Sequence, residues 1–268
     1  MPAILCPNCH KIVSPDADAC IHCGQRKPGL WGATATMRKL GVQLDFPHLI
    51  TIVCGALYVL MLALDPGAIF QTSGFMSILA PSNVASVKAG ATGVYPLYQL
   101  DLWWTPITAI YLHGGLLHIF FNMMWVRQLG PVVADLFGPF RLFTIFTVAG
   151  IVGFLFSIAA GHPLTLGASG SIFGLLAAAI AYGRRTGAQL FTRQFLQWAV
   201  LLFIMGFVFP GVDNWAHGGG FVGGYAIAFL FSRSSEREGI GAYLTGGLCL
   251  LATGGAFALQ FMSMVGLR

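Results

Sequence analysis

"GASGSIFG", residues 167–174, opens a long apolar stretch with three glycines, two serines and an alanine. Such residues weaken an ordinary helix interior. A serine hydroxyl in lipid also needs a hydrogen-bond partner. The stretch makes sense where backbones must come close together and one hydroxyl must be presented to something.

Composition sets the surroundings. The chain has 268 residues, 56% of them hydrophobic and 9% charged, with a mean hydropathy of +0.77. Soluble domains carry roughly 25% charged residues. This is the composition of an all-α polytopic membrane protein, in which every backbone polar group must be satisfied within the fold. The net charge of +5 is therefore read by position, not as a nucleic-acid signal, and no nucleic-acid partner is expected.

Apolar segments that span or nearly span about 30 Å of hydrocarbon fall at 48–64, 116–129, 140–160, 169–183, 195–209, 214–231 and 240–264. The first begins after a polar stretch, so no secretory signal is expected. With the N-terminus in the cytoplasm, twelve basic residues (Lys11, Arg26, Lys27, Arg38, Lys39, Arg127, Arg141, Arg184, Arg185, Arg193, Arg233 and Arg237) face inward. Only Lys88 and Arg268 face outward. This positive-inside bias and the odd span count put the C-terminus outside. The external connection 65–111 contains "LYQLDLWWTPITAIYLH", whose aromatic residues suit the membrane interface.

Three polar groups interrupt the spans. In "HGGLLHIFFNMMW", His118 and Asn122 are i and i+4 and share a helix face; His113 precedes them near the external surface. Ser169 begins another span. In "DNWAHGGGFVGGY", His217 is followed by Gly220 and Gly224 on the same face, a smooth surface for close helix packing. Each group alone is compatible with packing. All three lie at the external ends of their helices, however, and polar intramembrane residues mark function by default. Ser, His and Asn supply a nucleophile, a base and an oxyanion donor. No Glu lies in a span, which excludes a His-Glu-x-x-His zinc site. No repeat or mid-span charge suggests a transporter.

"GASGSIFG", "HIFFN" and "AHGGGFVGG" resemble the three motifs of the rhomboid family of intramembrane serine proteases. The resemblance covers residues 46–232, and the seventh span resembles the six-plus-one members. It implies a rhomboid-like helical bundle of six core spans plus a seventh C-terminal span. It further implies Ser169 as nucleophile, His217 as base, and Asn122 and His118 with the Ser169 N–H as oxyanion hole. Phe173 matches an aromatic position packing on the histidine ring, and Gly220 and Gly224 would let the sixth span approach the fourth. No cofactor is implied for catalysis. The implied substrates are single-span membrane proteins cut near the external surface. The alternative is a non-catalytic relative that binds and delivers membrane helices. One departure stands out. Trp104 is followed by Thr105 where many members have Arg. "QLGPVVADLFG", with Asp135, resembles the family's cytoplasmic turn. Asp213 is four residues before His217, but Asp213 or Asn214 is read as the cap of the sixth span, rather than Asp213 as a third catalytic acid.

The first 27 residues form a separate module. "CPNCHKIVSPDADACIHCG" carries Cys6, Cys9, Cys20 and Cys23 as two Cys-x-x-Cys pairs, a spacing that suits tetrahedral Zn²⁺ in a reducing cytoplasm. His10 and His22 are alternative ligands. The module resembles a small zinc ribbon whose structural metal supplies much of its folding energy. It would dock a cytoplasmic partner, regulate, or serve as a cap with no partner. Cys54 and Cys249 read as packing residues. The expected organisation is a ribbon (1–27), a linker (28–45), a six-helix core (46–232), and a loop with a seventh helix (233–268). The chain is expected in a bacterial inner membrane.

Overall fold

The computed structural model describes residues 4–6, 9, 11–14, 17–26, 45–70, 78–232 and 238–266. The linker 28–44, His10, Lys27, Arg38, Lys39, Arg233, Arg237 and Arg268 lie outside these residues. The chain divides into two compact units, Met1–Asp45 and Phe46–Arg268.

In the first unit, β1 (Ile4–Leu5) pairs antiparallel with β2 (Ile12–Val13). Cys6 follows β1, and its N–H donates to the Lys11 carbonyl at 2.9 Å. The second Cys-x-x-Cys turn is built alike, with the Cys20 N–H donating to Gln25 O at 2.8 Å. Among the described residues of this unit, Cys6, Val13 and Cys20 are buried, with Cys9 and Ala17 packed on them. One valine and a few small residues make too little core to hold such a unit unaided.

The second unit is helical. Its long helices are α1 (Phe46–Leu64), α5 (Leu116–Phe137), α6 (Pro139–Ala159), α7 (Ser169–Thr186), α8 (Gln189–Val208), α9 (Asn214–Ser232) and α10 (Ile240–Met264). Short helices α2 (Asn83–Ala89), α3 (Val94–Gln99) and α4 (Thr105–Thr108) fold the connection between α1 and α5. Each expected span therefore contains a long helix. By length and composition alone, α1, α6, α8 and α10 could each cross a bilayer. A fifth crossing is counted if 105–111 and α5 form one span bent by 90°. α7 and α9 fall short among the described residues: α7 ends in the exposed pair Arg184–Arg185, and α9 is rich in glycine and begins with polar Asn214 and His217. Every residue from Gly170 to Ala181 in α7 is buried, as expected for a helix enclosed on all sides.

α6 and α7 lie at the centre, with α9 packed against both. α8 and α10 are peripheral, each only 17% buried along its most apolar window. Two boundaries differ from expectation. Through "QLGPVVADLFG" α5 continues helical past Pro131 to Phe137, and the chain turns only at the last residue of that stretch, Gly138. α8 begins six residues earlier than the apolar run, because Gln189–Gln194 completes its polar end.

Candidate active site

The site is built where the N-terminal ends of α5, α7 and α9 meet. α7 begins at Ser169, so the first backbone N–H groups of the helix have no intrahelical acceptor. α9 begins at Asn214, placing His217 in its first turn, 5% exposed. The two helices touch backbone to backbone. A Cβ on Gly220 would collide with the carbonyl of Gly170, and one on Gly224 would collide with Gly174 Cα. Nearer the helix starts, a Cβ on Gly170 would lie 3.1 Å from Ala216 O. The residues following Ser169 and preceding His217 therefore face each other.

The His217 ring is fixed from two directions. Phe173, one turn after Ser169, stacks on it with centroids 4.4 Å apart and planes 19° from parallel. His217 Nδ1 lies 3.1 Å from Asn214 Oδ1. An amide oxygen can only accept, so Nδ1 carries the hydrogen and Nε2 keeps its lone pair.

The opposite tautomer holds at His118. The 90° bend before α5 lets the Gly114 N–H donate to His118 Nδ1 at 3.2 Å. Nε2 therefore carries the hydrogen and can donate. The position a Cβ would take on Gly167 is 2.8 Å from His118 Nε2 and 4.0 Å from Ser169 Oγ, so both groups border one point. Asn122 is buried and donates from Nδ2 to His118 O at 2.8 Å, while its Oδ1 has no protein partner. His113 is wholly buried beside His118, with ring centroids 5.1 Å apart.

Asp213 caps α9, accepting from the Ala216 N–H at 3.0 Å. It also accepts from Ser157 Oγ and from Thr165 Oγ1, the latter at 2.9 Å. Its Oδ1 lies 3.8 Å from His162 Nε2. Asp213 is thus committed to the cap and the adjoining loop, while Asn214 faces the His217 ring. Sequence reasoning missed Asn214 as that partner, although its i to i+3 spacing to His217 was available. Ser157 and Thr165 were missed because nothing local ties them to Asp213.

In the first unit, the sulfurs of Cys6, Cys9, Cys20 and Cys23 all lie within 4.8 Å of one another. Cys6 and Cys23 are 3.6 Å apart, and Cys9 and Cys20 are 3.7 Å apart. Four thiolates around one Zn²⁺ at about 2.3 Å would be spaced by about 3.8 Å. The donor set fits a tetrahedral metal, and the cluster could hold one. His22 does not join this cluster.

A serine at a helix start, an imidazole with a free Nε2 across a glycine contact, and a second imidazole donor define the class: a polytopic membrane protein with a candidate serine-hydrolase site. A family model of the Rhomboid domain matches residues 101–234, half of the chain and all of the site. The chain belongs to the rhomboid family, and it is a multi-pass membrane protein. It is 31% identical over 168 residues to RHOMBOID-like protein 1 of Arabidopsis thaliana, covering 60% of this chain and 43% of that protein. RHOMBOID-like protein 5 of Arabidopsis thaliana is 33% identical over 172 residues, covering 60% and 54%. Rhomboid protease GluP of Bacillus subtilis (strain 168) is 33% identical over 130 residues, covering 47% and 25%. The chain spans about half the length of the plant relatives it matches.

Proposed function

We propose that the chain is an intramembrane serine endopeptidase. His217 Nε2 takes the proton as Ser169 Oγ attacks a peptide carbonyl, then returns it to the leaving amine. Water enters by the same base and hydrolyses the acyl-enzyme. The developing oxyanion is met by the Ser169 N–H, by His118 Nε2–H and by Asn122, in a water-poor site where such donors act strongly. The observation that carries this reading is a pair of contacts at the two Nδ1 atoms, His217 with Asn214 Oδ1 and His118 with the Gly114 N–H, which suit His217 Nε2 to accept a proton and His118 Nε2 to donate a hydrogen bond.

The substrates we infer are single-span membrane proteins cut near the external surface. The basic residues support a cytoplasmic N-terminus and a C-terminus outside; residence in a bacterial inner membrane is part of the proposal. For the first unit we infer a structural Zn²⁺ on Cys6, Cys9, Cys20 and Cys23. The closed set of four sulfurs leaves no position for substrate water. A cytoplasmic partner for that unit is part of the proposal.

A fluorophosphonate probe tests the reading. The purified protein should label, and Ser169→Ala should not. Ser169→Ala and His217→Ala should each abolish cleavage of a model single-span substrate, with the double variant little worse than either. Substantial cleavage by Ser169→Ala would overturn the assignment. Failure of the folded wild type to label would instead favour a non-catalytic relative that carries membrane helices.

A further inference from the structure

The stretch "GAFALQFMSM" in α10 holds one amide, Gln260, which is 4% exposed. A buried amide persists only if its polar atoms are matched, and all of this one's hydrogen bonds go to the connection between α1 and α5. Gln260 Oε1 accepts from Trp104 Nε1–H at 2.8 Å. Its Nε2 donates to Lys88 O at 2.9 Å and to Val87 O at 3.2 Å, both at the end of α2. Trp104 is the residue followed by Thr105 rather than Arg. Here the connection is anchored from the seventh helix.

The contacts continue from there to the site. Gly90, with φ +107°, packs so closely that a Cβ would lie 3.2 Å from Gln260 Cγ. Its carbonyl accepts from Thr108 Oγ1 at 2.7 Å. Two residues on, Thr92 and Thr165 exchange both backbone hydrogen bonds, at 3.0 and 2.6 Å. Thr165 also donates to Asp213, the cap below His217. Gly167 donates to Ala109 O at 2.9 Å, and the chain then enters Ser169. The loop carrying the nucleophile is thus hydrogen-bonded to a connection that Gln260 holds in place.

We propose that Gln260 is a positioning residue of the active site, acting through Trp104 and the end of α2 to fix the register of residues 165–167. The proposal rests on the reading of Ser169 and His217 as the dyad. α10 thereby becomes part of the working enzyme, although it lies outside the segment matched by the family model. Small displacements of a reacting group are costly: about 1 Å can lose roughly 10²-fold in rate.

The test uses the full-length protein in detergent. Gln260→Met keeps shape and volume but removes all three hydrogen bonds; Trp104→Phe removes one of them, the indole donor, together with part of the ring. Fluorophosphonate labelling rate, KM and kcat for a model single-span substrate, and Tm are measured for each. The expected result is labelling about tenfold slower in Gln260→Met, well below its Tm, with kcat reduced in proportion and KM unchanged. Trp104→Phe should show a smaller loss, and the double variant should match Gln260→Met, since both act through one contact. Labelling of Gln260→Met at the wild-type rate overturns the proposal, as does a loss confined to KM. If Gln260→Met does not fold, Trp104→Phe decides: slower labelling supports the proposal, and an unchanged rate overturns it. A folded wild type that does not label overturns the dyad itself, and this inference with it.

Discussion

The imidazole of His217 lies flat on the ring of Phe173, centroids 4.4 Å apart, and Phe173 follows Ser169 by one helical turn. The ring that orients the proposed base is thus carried by the helix that carries the proposed nucleophile. Any shift of α7 against α9 would move both together.

Phe173→Leu should therefore separate orientation from packing. Leucine fills much of the space, but stacking worth about 1 kcal/mol is lost. Turnover should fall about fivefold to tenfold, with KM nearly unchanged. Steady-state cleavage and a thermal melt check this; a fall in Tm with unchanged turnover would assign Phe173 to packing alone.

The glycines of α9 should differ sharply among themselves. Gly220→Ala drives a methyl into the Gly170 carbonyl, and overpacking of this kind costs about 1–3 kcal/mol. Labelling should fall as α9 is pushed from α7. Gly218 has nothing within 4 Å of its would-be Cβ, so Gly218→Ala should be neutral or should stabilise by up to about 1 kcal/mol. Melting both variants beside the wild type separates the two.

How much of this was readable in the chain follows from the range of the contacts. The long helices were legible because an apolar run declares itself locally, and the Gly220–Gly224 face because its period is local too. The Rhomboid membership was legible in three short motifs. Residues 78–112 were not, because their helices are too short to have a period and are held by distant partners. Trp104 and Gln260 are 156 residues apart, and Asp213 draws its donors from 56 and 48 residues away. The end of α5 was misjudged because Pro131 and its neighbours read as a turn, while tertiary packing buries Gly130 and Val133 on either side.

Asp213 and Asn214 should divide cap from orientation. Asp213→Asn retains a capping side chain but weakens acceptance from Ser157 and Thr165. Tm should fall, with labelling largely kept at low temperature. Asn214→Ala removes the acceptor that fixes the His217 tautomer, so labelling should slow at nearly unchanged Tm. Loss of all labelling in a folded Asp213→Asn would require a catalytic triad instead.

Glu238 gives a pH dependence with a definite sign. Its carboxylate caps α6, accepting from the Arg141 N–H at 2.8 Å. Burial raises its pKa from 4.5, against the opposing pull of the Arg141 and Phe140 N–H groups and the Arg141 charge. Tyr243 of α10 also faces it. An acid raised in the fold binds more protons folded than unfolded. Its contribution to stability is therefore full below pH 4.5 and is lost as pH rises through the folded value. Glu238→Gln should remove this part of the slope. Tm measured from pH 4.5 to 7 should decline less steeply in the variant, and parallel slopes would show that the group does not titrate there.

The cysteine cluster makes a prediction that separates the two units chemically. Cys6–Cys23 and Cys9–Cys20, at 3.6 and 3.7 Å, have the spacing expected of thiolates sharing one Zn²⁺, about 3.8 Å. Among its described residues the first unit has little core beyond Val13 and the cysteines themselves, so its folding energy should come largely from the metal. The purified full-length protein should carry about one equivalent of zinc. Its four N-terminal cysteines should resist alkylation until a strong chelator is added, then react together as the unit unfolds. Chelation should leave fluorophosphonate labelling of Ser169 unchanged, because the proposed serine chemistry uses no metal. Elemental analysis, mass-spectrometric counting of alkylated cysteines and labelling before and after chelation measure the three quantities. Alkylation of Cys6 and Cys20 at the rate of an exposed thiol in untreated protein would exclude the metal site. Loss of labelling on chelation would exclude the separation of the metal from the catalytic chemistry.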